Sequence, residues 1–223
     1  MKKILLLLGL SVCLAASSVD ACTTMLVTPG ASSDGSTYMT HSNDSNSSDP
    51  SIVYVPARDY PAGSLRNVYP SAIAWDDLPE YNCVSTPRLN APERAPGYDY
   101  PKLPKTLPLG QIPQAAHTYA YIDSDYAVMN EQGLMFGECT DNSLWLENRP
   151  VKAGGGIFYS SELARVALER CRTAREAVQL MGKLIDTYGL YGTGETLMVA
   201  DQHEGWVFEM QPVPTEIGGL WIA

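Results

Sequence analysis

The stretch Val19-Asp20-Ala21-Cys22 constrains this chain most, because it ends a removable leader and decides which residue begins the mature fold. Lys2 and Lys3 give a basic start, residues 4–10 are apolar, and Val19 and Ala21 hold the third and first positions before the cut. Cleavage after Ala21 makes Cys22 N-terminal. Such a cysteine carries a thiol and a free α-amine on neighbouring atoms, with ordinary pKa values of about 8.5 and about 7.7–8.0. Nucleophile and base then arrive in one residue, and no histidine partner is required. Two other uses of Cys22 stay open: lipid attachment, as in bacterial lipoproteins, and a disulfide. Lipoprotein processing favours leucine third before the cysteine and a small residue second, where this chain has Val19 and the charged Asp20.

Residues 22–223 suffice for one domain that buries about 70% of its unfolded surface. The formal net charge of −10 becomes one unit more negative once Lys2, Lys3 and Asp20 leave with the leader. That balance argues against nucleic acid or an anionic membrane surface as partner. After Cys13 is lost, Cys22, Cys83, Cys139 and Cys171 remain, without a C-x-x-C pair and with three histidines in the chain. No metal site and no cofactor are expected from this set. Export would permit a disulfide among Cys83, Cys139 and Cys171, though spacing assigns none. No other apolar run approaches the ~20 residues that span a bilayer, so no membrane association is expected after leader removal.

Residues 23–28 and 37–41 read as two strands around turn signals, a hairpin that begins at the nucleophile and brings Asp44 back near it. Asn43, Asp44 and Ser45 also suit a simple loop cap. Residues 52–57 look like a strand. Residues 58–114 hold ten prolines that forbid a continuous helix or central strand, and they read as a long irregular insertion. Such a stretch either packs over the body near the site or forms a surface excursion. Residues 117–122 and 126–129 read as strands, and Asn130-Glu131-Gln132-Gly133 turns the chain into a strand over 134–138. Leu163, Val166, Ala167, Arg170 and Cys171 mark one helix face. Thr173-Ala174-Arg175-Glu176 is a capping box that opens a second helix with a stripe at Ala177, Leu180, Met181, Leu184 and Ile185, closed by Gly189. Strands at 196–200 and 206–210 follow. Strands, two helices and strands again suit an α+β sheet with helices packed on it.

Several blocks in this order carry a resemblance: Cys22-Thr23-Thr24, Ala31-Ser32-Ser33-Asp34-Gly35-Ser36, Asn43-Asp44-Ser45, Met129-Asn130-Glu131-Gln132-Gly133-Leu134, and GETLMVADQHEGWVFEM from Gly194 to Met210. Together they resemble the dipeptidase family of N-terminal-nucleophile cysteine hydrolases, relatives of penicillin acylases and bile-salt hydrolases. The resemblance implies a four-layer α/β/β/α sandwich and hydrolysis of dipeptides by Cys22, with Asp44 beside the N-terminal amine. It implies a backbone oxyanion donor at Cys139 or Thr140. His41 departs from the wider superfamily, where an arginine often faces the thiol; His41 and Asn130 stand as candidates for supporting roles, Asn130 chiefly as a turn former.

The expected partner is a small peptide substrate, the expected location periplasmic or extracellular, and a homo-oligomer is left open. An acylamide amidase of the penicillin or bile-salt type would share the machinery, and a lipid-anchored binding protein with an inert Cys22 is the non-enzymatic alternative. Relatives continue beyond a point equivalent to Ala223, and the asparagine that completes their oxyanion site lies there. On that ground the chain reads as an N-terminal part of the sandwich, incomplete at its C-terminus and inactive alone, with Trp206, Val207 and Phe208 expected on an uncovered face.

Overall fold

The computed structural model describes residues 22–44, 51–70, 107–141, 156–213 and 218–223. The leader, Cys83 and residues 71–106 of the proline-rich stretch lie outside the described residues. The strands are Thr24–Val27 (β1), Tyr38–His41 (β2), Val53–Val55 (β3), Arg58–Asp59 (β4), Leu65–Val68 (β5), Gly110–Pro113 (β6), His117–Thr118 (β7), Tyr121–Asp123 (β8), Met129–Asn130 (β9), Met135–Asp141 (β10), Gly194–Ala200 (β11), Gly205–Pro212 (β12) and Gly219–Ile222 (β13). Among the described residues, two α-helices, Ser160–Arg170 (α1) and Ala174–Tyr188 (α2), lie between β10 and β11.

Seven strands form one antiparallel sheet in the order β13-β12-β11-β10-β9-β8-β3. Phe136 faces Val199 across β10 and β11, and Leu197 faces Phe208 across β11 and β12. These four side chains, all at most 4% exposed, share one face with Val166, Ala167, Met181 and Ile185 of the helices. Burying each large apolar group there contributes about 1.5–3 kcal/mol. Next to Phe136, Gly137 points to the opposite face, where β1 arrives so closely that a Cβ would lie 2.3 Å from Thr24 Cγ2. Gly205 likewise leaves room for Leu26, 2.4 Å from where its Cβ would stand. Glycines at these two positions are what let the β1–β2 hairpin lie on the sheet. The layering is thus helices, sheet, hairpin.

Both helices start and stop as local chemistry directs. Thr173 Oγ1 accepts from the Glu176 N–H at 3.2 Å, while the Glu176 carboxylate reaches back to the Arg172 N–H at 2.8 Å, one residue earlier than the capping-box pattern predicts. Gly189, at φ +77°, ends α2 in a conformation that a side chain would strain. The stripe read on α1 is real but incomplete. Ten of its eleven residues are buried, Glu162, Arg165 and Glu169 included. The cause is the β5–β6 ribbon, which lies where an irregular segment was expected: Arg66, 6% exposed, reaches Glu169 at 2.6 Å and Glu162 at 2.9 Å. The ends of the proline-rich stretch are therefore short strands, with Pro113 at the last position of β6 opposite Leu65. Phe208 also corrects an expectation, since it is buried and stacked on Trp221 of β13 at 5.5 Å; Trp206 is partly covered by Arg175, while Val207 is exposed.

Candidate active site

Strand β9 pairs with β10 through Met135 alone, so the rest of that β10 edge faces the β1–β2 hairpin. The edge can be read atom by atom. Phe136 N–H donates to Val128 O at 3.0 Å, and two residues on, Glu138 N–H donates to His41 Nδ1 at 2.8 Å. Glu138 O accepts from Thr24 Oγ1 at 2.7 Å on the same side. The two-residue period of a strand puts the Thr140 N–H on this edge as well and turns the Cys139 N–H toward β11. Of the two residues proposed for an oxyanion donor, Thr140 is thus the one whose amide faces the hairpin. Cys139 contributes its side chain instead, with Sγ 3.4 Å from Cys22 O and 3.2 Å from Thr24 Oγ1.

Cys22 sits at the head of β1, partly buried, beside this edge. Burial pushes its thiol above the usual range; a hydrogen bond from the Asp44 backbone N–H opposes that rise, and the charges of Glu138 and Asp44 add to it. The Asp44 side chain is exposed. The loop carrying it is held by Asn43, which donates to Asp125 at 3.0 Å, while Arg165 of α1 binds Asp125 O at 2.8 Å. Asn130 works elsewhere. Its two amide donors bind Leu168 O and Cys171 O, and its oxygen accepts from the N–H groups of Gln132 and Leu134, all at 2.9–3.0 Å. With both donors used to tie the β9–β10 turn to the end of α1, none is left for a substrate. Cys139 and Cys171 are free thiols, and burial pushes Cys171 up to about 12, an inert core position.

Two residues in the group were not singled out from sequence. Glu138 and Glu195 are 1% and 0% exposed and lie diagonally across β10 and β11, since Glu138 pairs with Leu197 and Thr140 with Glu195. Tyr159 donates to Glu195 Oε1, and Thr140 Oγ1 donates to Glu138 Oε1 at 3.0 Å. Apart from a proton shared between the two carboxyls, Glu138 Oε2 and Glu195 Oε2 have no hydrogen-bond donor among the described residues. Burial and the neighbouring Glu138 push the Glu195 acid up to about 11, so it keeps its proton at neutral pH and supplies a donor to Glu138. The signal for them in the sequence is parity: each glutamate shares the inward face of its strand with Phe136 or Leu197.

Cys22, His41 and Glu138 each bring a ligand-type atom within 4.8 Å of the others. The tautomer of His41 disfavours a metal there. Because Nδ1 accepts the Glu138 N–H, the neutral ring carries its proton on Nε2, the nitrogen with no partner, 3.9 Å from Glu138 Oε2. Burial keeps His41 below its ordinary pKa and so in this neutral form. It is an N–H donor, not a lone pair. Beside it lies a cavity of about 410 Å³ walled by His41, Tyr126, Met39, Phe136 and Met135.

A family model described as peptidase family C69 matches residues 21–223, and no curated protein matches the chain. The match covers all of the β10 edge, the hairpin with Cys22 and both glutamate strands. This chain therefore belongs to peptidase family C69, which supports a cysteine-type peptidase.

Proposed function

We propose that this peptidase is an exported dipeptidase, periplasmic or extracellular, whose nucleophile is Cys22 after removal of residues 1–21. Its full fold in this reading is the four-layer α/β/β/α sandwich of N-terminal-nucleophile hydrolases. The observation that carries the reading is Cys22 lying at the open edge of β10 with donors around it: the Asp44 N–H on its thiol and, by strand period, the Thr140 N–H along the edge. The Cys22 sulfur forms a bond to the peptide carbonyl carbon while the α-amine takes the thiol proton. Asp44 orients that amine. The Thr140 N–H is aimed at the developing oxyanion, where one such donor contributes about 2.7–4 kcal/mol. As the C–N bond breaks, the proton passes to the leaving amine, and water then cleaves the thioester and restores the thiol. His41, fixed as a neutral N–H donor, faces the thiolate.

Dipeptide turnover by Cys22→Ser in the full-length protein tests this. Activity is expected to fall by about 10³-fold or more with export and melting unchanged, because a neutral hydroxyl is a far weaker nucleophile. Retention of wild-type turnover would end the assignment.

A further inference from the structure

A dipeptidase must tell a free N-terminus from an internal peptide bond, and the structure contains a group suited to that task. Glu138 is 1% exposed, its Oε2 accepts no donor from the described protein apart from the proton kept by Glu195, and a carboxylate oxygen lies within 4.8 Å of the Cys22 thiol. A buried carboxylate oxygen without a full set of donors is costly unless a ligand completes it. The α-nitrogen of a substrate's first residue is two bonds, about 2.5 Å, from the carbonyl carbon under attack. The sulfur approaches that carbon at about 3–3.5 Å, and a charge-assisted N–H to carboxylate bond spans about 2.7–2.9 Å. These lengths close a triangle of sulfur, α-nitrogen and Glu138 oxygen.

We propose that Glu138 is the anchor for the free α-ammonium of the substrate's N-terminal residue, which confines cleavage to the first peptide bond of an unblocked peptide. The assignment rests on Cys22 being the nucleophile. Neighbouring groups hold the carboxylate in place: Thr140 Oγ1 on Oε1, and Glu195 behind it, itself fixed by Tyr159. His41 cannot take the same role, because the atom it turns to this space is a donor. The exposed Asp44 is the rival carboxylate, and a variant separates the two.

The test needs no turnover. The processed chain beginning at Cys22 is treated with alanyl chloromethyl ketone and, separately, with its N-acetyl derivative; in each, the Cys22 sulfur displaces chloride, and mass spectrometry gives the labelling rate. Iodoacetamide reports the intrinsic reactivity of the thiol. The free-amine reagent is expected to label at least tenfold faster than the acetylated one, and Glu138→Gln is expected to bring that ratio to about one; because the Glu138 charge also raises the Cys22 thiol, the iodoacetamide rate of each protein normalises its intrinsic reactivity. Equal rates in the wild type overturn the proposal, as does a ratio kept in Glu138→Gln, which would move the anchor to another carboxylate. Should Glu138→Gln not fold, Glu138→Asp replaces it: a reduced ratio supports the anchor and an unchanged one overturns it. Absence of Cys22 labelling by all three reagents overturns instead the reading of Cys22 as nucleophile.

Discussion

Two buried charge clusters, both reaching onto the helix-covered face of the sheet, have opposite designs. Around α1, Arg165 and Asp123 are 1% and 0% exposed and meet at 2.9 Å, and Arg66 binds both Glu162 and Glu169. Each cation there has a carboxylate, and the guanidiniums also fill backbone carbonyls at Asn67, Ser124 and Asp125. Beside Cys22, two glutamates face each other without a cation among the described residues, one keeps its proton, and the His41 Nε2–H has no acceptor. Compensated charge specifies how elements dock. Under the proposal above, the uncompensated charge beside Cys22 is kept for a ligand, and this contrast is what the following expectations break or sharpen.

The largest effect on stability is expected from Arg165→Ala, which leaves Asp123 buried without its cation. Denaturant unfolding should show a loss of about 3–5 kcal/mol. Equal stability of variant and wild type would show that the α1 cluster does not organise docking. Gly137→Ala comes next. Its new methyl meets Thr24 2.3 Å away, so the hairpin must lift or the strand bend, at about 1–3 kcal/mol. Because the hairpin carries Cys22, its labelling rate is expected to change together with the melting temperature; a change in neither would mean that the hairpin is not clamped at this glycine.

At pH 5 the smallest change is expected from Glu195→Gln, an isostere of the protonated acid. Its difference from wild type then grows with pH. The native acid is held up to about 11, whereas the unfolded chain releases the proton above about 4.3. Native protein therefore binds more protons than unfolded protein across this window, and wild-type stability is present at low pH and lost as pH rises, by up to about 1.4 kcal/mol per unit. Melts from pH 5 to pH 9 should show Glu195→Gln gaining steadily on wild type. Parallel curves would mean that Glu195 is not the proton holder.

What the sequence disclosed was local. Thr173 and Gly189 bound α2 through groups a few residues away, and the Asn130-Glu131-Gln132-Gly133 turn closes β9 onto β10 as its residues dictate. The β1–β2 hairpin was legible for the same reason. Glu138 and Glu195 were not, because a glutamate in a strand faces solvent or core according to register, and the partners that decide it lie 59 residues apart in the Glu138–Leu197 pair. Burial of ten of the eleven α1 residues was not legible either: the covering comes from Arg66 on β5, 103 residues before Glu169 in the chain. Prolines at 61 and 113 concealed that ribbon, since each stands at a turn or a strand end where the missing N–H is harmless.

The central claim is that Cys22 begins the working chain with a free amine. Intact-mass analysis and N-terminal sequencing of the exported protein, before and after brief iodoacetamide treatment, test it most directly. The account predicts a chain starting at Cys22, unmodified at its amine, that takes up its first label on Cys22 ahead of Cys139 and Cys171. A start at another residue, an uncut leader, or a lipid adding hundreds of daltons at Cys22 would contradict it.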